Sequence, residues 1–164
     1  MPYIKKIELK GFKSFGPKTA TVTLDKGFTA ITGPNGSGKT NIADAVLFGL
    51  GELSARRMRA ASLSKLIYHG YPELQVKKAK TAKIVLQFDN SDNRLPVDTK
   101  TVTISREINR AGQSLYRLNG RRISRTHILN ILSMAGISPT GHNVVLQGAI
   151  TRIAEISSHE RRKM

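Results

Sequence analysis

Residues 28–50 read FTAITGPNGSGKTNIADAVLFGL, and the stretch from Gly33 to Thr40 fits G-x-x-x-x-G-K-[ST] at every fixed position. Each fixed position has a physical reason. Gly36 and Gly38 permit positive φ and bring backbone N–H groups close to a bound phosphate. The helix that follows starts with unpaired N–H donors and a positive dipole end, and both favour an anion. Lys39 reaches the β- and γ-phosphates of a nucleoside triphosphate, and the Thr40 hydroxyl ligates Mg²⁺. Pro34, Asn35, Ser37 and Asn41 complete the cradle. Upstream, Phe28, Thr29, Ala30, Ile31 and Thr32 form a short apolar run, expected to be a buried strand. Downstream, Ile42, Ala45, Val46 and Gly49 fall at helical spacing, with Gly51 as the C-cap. A strand–loop–helix context separates the motif from a chance glycine-rich turn. The expectation is an α/β P-loop NTPase that binds ATP.

Moving outward, residues 3–12 set Ile4, Ile7, Leu9 and Phe12 among lysines and a glutamate, as an exposed strand does. Residues 19–24, TATVTL, predict a second strand ended by Gly27. Basic clusters and small residues over 52–80 predict a surface excursion with a short helix near 63–67. Strands follow at 83–88, 102–108 and 114–118, separated by turn signals at Asn90-Ser91-Asp92-Asn93, Ala111-Gly112 and Asn119-Gly120. The last of these favours a type I′ hairpin, so the region reads as an antiparallel β meander. Ser124 caps a helix running to Ala135 and stopped by Gly136; Val144, Val145 and Leu146 form a last short strand. Ser157 and Glu160 match a capping box, with Arg161, Arg162 and Lys163 behind it, so a longer helix is expected to begin there.

The chain has 164 residues, the size of one domain, and at 39% hydrophobic it can bury a core. No stretch approaches the roughly 18 apolar residues of a membrane span, and the N-terminus lacks the apolar region of a signal peptide. A soluble, cytoplasmic protein is expected. The absence of cysteine excludes disulfides and thiolate metal sites. Lys and Arg number 27 against 11 Asp and Glu, a formal +16, which favours a polyanionic partner. Two other sources of such a surplus are a solvated heat-adapted surface and an acidic partner absent from the chain. Heat adaptation adds charges of both signs, however, and acids are scarce here. The basic clusters (Lys5/Lys6/Lys10/Lys13, Arg56/Arg57/Arg59, Lys77/Lys78/Lys80/Lys83, Arg121/Arg122/Arg125 and Arg161/Arg162/Lys163) are dispersed, which suits a phosphate backbone without base reading. Aromatics at 5% give no stacking platform, so duplex DNA bound non-specifically is expected.

Binding is not hydrolysis, which also needs a strand-end Asp and a group that orients water. The one apolar run leading into Asp is IVLQFD, ending at Asp89, and Gln87 interrupts it. Asp89 opens a polar turn and reads as a turn residue. Asp44, one helical turn past Thr40, reads as a helix-surface acid or as part of a metal shell. Gln147 follows an apolar run at a turn; its amide can ligate Mg²⁺ and orient water, but spacing alone makes it a polar loop residue. The chain therefore reads as half of an active site.

Taken together, IKKIELKGFKSF, GFTAITGPNGSGKTNIADAVLFGLG, LSARRMRA, LNGRRISR and ISPTGHNVVLQG resemble the N-terminal head segment of SMC (structural maintenance of chromosomes) ATPases, most closely the archaeal and bacterial branch. The resemblance spans essentially the whole chain. It implies the N-terminal lobe of a split ABC-type ATPase head carrying Walker A and the Q-loop. The signature motif, Walker B and catalytic glutamate would lie in a C-terminal head segment beyond a coiled coil and hinge. It makes Gln147 the Q-loop glutamine and a Mg²⁺ ligand. Arg59 becomes the arginine that reaches the phosphates, with Arg57 as the neighbouring alternative, and Lys13 and Ser14 flank the base and ribose. Implied partners are that C-terminal segment, a second head, a kleisin subunit and DNA, in a nucleoid-associated cytoplasmic assembly. Repair ATPases of the RecF and RecN kind are the nearest rival. A self-contained P-loop enzyme using Asp89 and a basic DNA-binding module with a merely structural P-loop are more remote ones.

Overall fold

A computed structural model of the chain describes residues 2–71 and 75–139. Six strands, β1 (Tyr3–Lys10), β2 (Ala20–Thr23), β3 (Thr81–Asp89), β4 (Thr101–Asn109), β5 (Ser114–Leu118) and β6 (Arg121–Ile123), form one sheet in the order β2-β1-β3-β4-β5-β6. Every neighbouring pair is antiparallel. The cause is visible in β3, where Ala82, Ile84, Leu86 and Phe88 are buried and alternate with half-exposed Lys83, Val85 and Gln87. Burying a large apolar side chain contributes about 1.5–3 kcal/mol, and a one-residue slip would turn the whole set to solvent. That penalty sets the register.

Among the described residues two α-helices pack on the sheet. α1 (Lys39–Gly49) buries Ala45, Leu47, Phe48 and Gly49 and packs on β3 and β4. α2 (Arg125–Met134) buries Ile128, Ile131 and Leu132, and the Ser124 hydroxyl accepts the His127 N–H at 3.2 Å, the cap read from the sequence. Asn119 and Gly120 have φ of 47° and 83°, the pair of positive values that a type I′ turn requires. That turn leads into β6, a strand too short and too basic to stand out in the sequence.

Three sequence expectations change. The segment after α1 is more than a surface excursion: most of its described residues are exposed or half-buried, but Met58, Leu66 and Ile67 are fully buried. Phe12 bridges Ile67, and the Tyr68 N–H donates to the Gly11 carbonyl at 2.8 Å. Its apolar residues follow neither strand nor helix period, because single 3₁₀ turns at Arg56–Met58 and Leu63–Leu66 deliver them. Next, the inward face of α1 is rotated from the one read from spacing, so that Asp44 is buried while Ile42 and Val46 stay partly exposed. Last, residues 28–32 join no strand of the sheet. Phe28 is 96% exposed, because no described element offers that apolar run a partner.

Gly11 is the tightest point of the β1 side, with φ +64° and the Thr81 carbonyl oxygen only 2.3 Å from where a Cβ would sit. Backbone cannot yield as a flexible side chain can. Gly11→Ala is expected to destabilise the fold by about 3 kcal/mol or more, read as a lowered thermal midpoint of the head.

Candidate nucleotide-binding site

The P-loop is presented by α1. Gly38 is the N-cap at φ 92°, no side chain caps the first turn, and no acidic residue sits in it. The exposed helix start is therefore electrostatically open to an anion. The Lys39 ammonium donates to the carbonyls of Gly33 at 2.6 Å and Pro34 at 2.7 Å. Asn35, Gly36, Ser37 and Thr40 are exposed. Donor geometry, a lysine held only by two loop carbonyls and an exposed threonine suit a triphosphate with Mg²⁺. Among the described residues no cluster of three His, Asp or Glu could hold a metal ion.

The segment after β1 lies against this helix start. The Ser14 hydroxyl accepts from the Asn41 amide at 2.8 Å. Lys13 donates to the Met58 carbonyl at 2.6 Å and to the Asp44 carboxylate. Arg59 donates to the Thr40 carbonyl at 3.0 Å and to the same Asp44 oxygen. Arg57 points elsewhere, paired with the Glu52 carboxylate. Lys13, Ser14, Thr40, Asn41 and Arg59 thus come together, joined through Asp44. Sequence reading missed that role of Asp44; its one signal was its place a turn after Thr40.

Asp89 accepts the Ser91 N–H at 3.1 Å and the Ser91 hydroxyl, and these bonds hold its exposed carboxyl below the usual range. It is the turn residue its surroundings suggested. Gln147, the run at Val144, Val145 and Leu146, and the capping box at Ser157 and Glu160 lie outside the described residues. Of the basic clusters, Arg121 and Arg122 stand exposed on β6, while the Arg125 guanidinium donates to the Gly51 carbonyl at 2.7 Å. No helix among the described residues is long and apolar enough to cross a membrane.

A P-loop at the start of a helix laid on an antiparallel sheet defines the N-terminal lobe of an ABC-type P-loop ATPase. The description "RecF/RecN/SMC N terminal domain" matches residues 3–142. Chromosome partition protein Smc of Pyrococcus furiosus is 52% identical over 99% of this chain, which spans 14% of that relative's length. A solved structure concerned with ATP-driven dimerization and DNA-stimulated activation of SMC ATPases is 51% identical, with TM-score 0.93 over 98% of this chain and 96% of its own. The Smc head with an extended coiled coil, bound to the C-terminal domain of ScpA and derived from Pyrococcus furiosus, is 52% identical, with TM-score 0.94 over 99% of this chain and 40% of its own. The chain belongs to the RecF/RecN/SMC N-terminal domain family, on its SMC side. RecF itself is similar in fold alone, at 18% identity and TM-score 0.64.

Proposed function

We propose that this chain is the ATP-binding half of an SMC head, which becomes an ATPase when joined by the C-terminal head segment and engaged with a second head. One observation carries this reading. The lobe has a complete Walker A loop, yet both acids the sequence offered for hydrolysis are already committed: Asp89 to a turn and Asp44 to Lys13 and Arg59. That neither acid is free among the described residues supports a Walker B and a catalytic glutamate supplied by the C-terminal head segment. The uncovered run at 28–32, with Phe28 96% and Ile31 44% exposed, offers that other half a place to add strands.

Within the site, Gly33, Gly36 and Gly38 shape the loop whose N–H groups hold the phosphates, with Pro34, Asn35, Ser37 and Asn41 framing it. Lys39 leaves the Gly33 and Pro34 carbonyls for the β- and γ-phosphates, Thr40 and Gln147 hold Mg²⁺, and Arg59 reaches the phosphates. Lys13 and Ser14 border the base and ribose. Head engagement driven by ATP would entrap duplex DNA through its backbone, with a kleisin subunit bound to the head, in chromosome condensation and segregation at the nucleoid. ScpA on the related Smc head supports the kleisin, and the +16 charge supports the DNA.

Steady-state ATP turnover by this chain, alone and co-purified with its C-terminal head segment, tests the reading. Turnover is expected only from the pair. Robust turnover by the chain alone, sensitive to Asp89→Asn, would point to a self-contained enzyme instead. Expressed by itself, the chain is expected to aggregate through the run at 28–32. A monodisperse monomer with a single cooperative unfolding transition would count against that.

A further inference from the structure

Resting on the assignment of Arg59 as the arginine that reaches the phosphates, we propose that Asp44 is a positioning residue that parks Arg59 beside the P-loop and yields it to nucleotide, with Lys13 as the charge that permits the exchange. Asp44 is 2% exposed and stands on α1 one turn past Thr40. A carboxylate that deep is unfavourable unless paired, and one cation is enough to neutralise it. It has two, both on Oδ2.

The two cations are not equivalent. The Lys13 side chain is 13% exposed and is tied a second time, to the Met58 carbonyl at 2.6 Å. The Arg59 side chain is 42% exposed, and its other bond goes to the Thr40 carbonyl, at the edge of the phosphate cradle. Lys13 is therefore the resident counter-ion and Arg59 the one able to leave. When Arg59 turns to a phosphate, Asp44 keeps Lys13, so no bare charge is left in the interior. A guanidinium prefers the multiply charged, fork-matching phosphate to a share of one carboxylate oxygen. The backbone does not need to move: Arg59 already sits at φ 52° at the end of a 3₁₀ turn, its N–H held by the Arg56 carbonyl at 3.0 Å. Asp44 thus lowers nucleotide affinity by competing for Arg59, and holds the arginine within reach of the site.

The test measures the Kd for Mg-ATP of the head co-purified with its C-terminal segment, as wild type, Arg59→Ala, Asp44→Asn and the double variant. Arg59→Ala is expected to weaken binding about 10-fold, and Asp44→Asn to tighten it about 3- to 10-fold. That gain is expected to vanish in the double variant, the coupling that a double-mutant cycle isolates. An Arg59→Ala head that binds like wild type would remove both the phosphate assignment and the parking role. If Arg59→Ala weakens binding while Asp44→Asn does not tighten it, or tightens it equally without Arg59, only the parking role falls. A structure of the wild-type head with Mg-ATP gives a second readout that needs no variant to fold. Arg59 off Asp44 with Lys13 still on it is expected; Arg59 still on Asp44 overturns the proposal.

Discussion

Lys39→Ala is expected to abolish ATP turnover by the assembled head, with a loss of about 100-fold or more, while leaving the lobe folded. Without nucleotide the Lys39 ammonium rests on the Gly33 and Pro34 carbonyls, 2.6 and 2.7 Å away, so it neutralises no buried acid and fills no core position. Removing it frees two carbonyls in an exposed loop, where water replaces the lost donor at little cost. With a triphosphate bound, the same ammonium is expected to become a charge-assisted donor to the transferring phosphoryl group. Deleting one donor aimed at developing charge typically lowers kcat by about 10²–10³-fold. Lys39→Arg should not rescue, because a bulkier planar fork cannot replace a compact point charge in a cradle this close. The measurements are steady-state turnover and equilibrium ATP binding, alongside the thermal midpoint. Activity retained within a few-fold of wild type would mean the loop does not position phosphate for chemistry. A collapsed midpoint would show instead that Lys39 supports the fold.

Arg106→Ala is expected to be the most destabilising side-chain truncation in the lobe, by about 4 kcal/mol. Arg106 occupies a core-face place in β4, in line with Val102, Ile104 and Ile108, and is fully buried. It forms no ion pair with any described carboxylate at bridging distance. Its Nη1 donates to the Phe48 carbonyl at 3.1 Å and the Glu52 carbonyl at 2.6 Å, and its Nε and Nη2 reach the Ser114 hydroxyl at 3.2 and 3.1 Å. The guanidinium carbon stands 4.0 Å from the Phe48 ring centroid and 5.0 Å from that of Tyr116. The carbonyls at the end of α1 carry the negative end of the helix dipole, so they and the two rings stand in for a counter-ion. Burial still pulls the guanidinium down to about 10, which leaves it protonated at neutral pH. Truncation takes the donor from the buried Glu52 carbonyl, leaves the Phe48 carbonyl with the Gly51 N–H alone, and opens a large cavity. Arg106→Met, which refills much of the volume and removes the buried charge, should recover roughly half the loss. Thermal or urea unfolding of the assembled head reads both variants. Because Arg106 fastens the end of the helix whose start is the P-loop, weaker ATP binding should accompany the lost stability. A loss below about 1 kcal/mol for the alanine variant would mean that those carbonyls find other donors.

These two residues differ in how far they could be read from the sequence. Lys39 belongs to a motif whose parts lie within eight positions of one another, and its geometry is that of one turn and the helix start beside it. The same is true of the Asn119-Gly120 turn, the Ser124 cap and the alternation in β3: each follows from neighbours along the chain, and each appears as expected. Along the chain Arg106 interrupts the apolar face of β4, because its two carbonyl acceptors lie 58 and 54 positions away. Asp44 reads as a surface acid on a short helix, because the cations that bury it sit 31 and 15 positions away.

The phosphate-binding loop and the antiparallel meander could be read along the chain, since local backbone preference and side-chain period suffice for these. Which face of α1 turns inward, that Arg59 rather than Arg57 stands beside Thr40, and that the apolar run at 28–32 is exposed could be seen only in the folded chain. Those depend on which distant segments arrive to pair a buried charge or fail to arrive to cover an apolar one, and pairing at long range leaves no period in the chain.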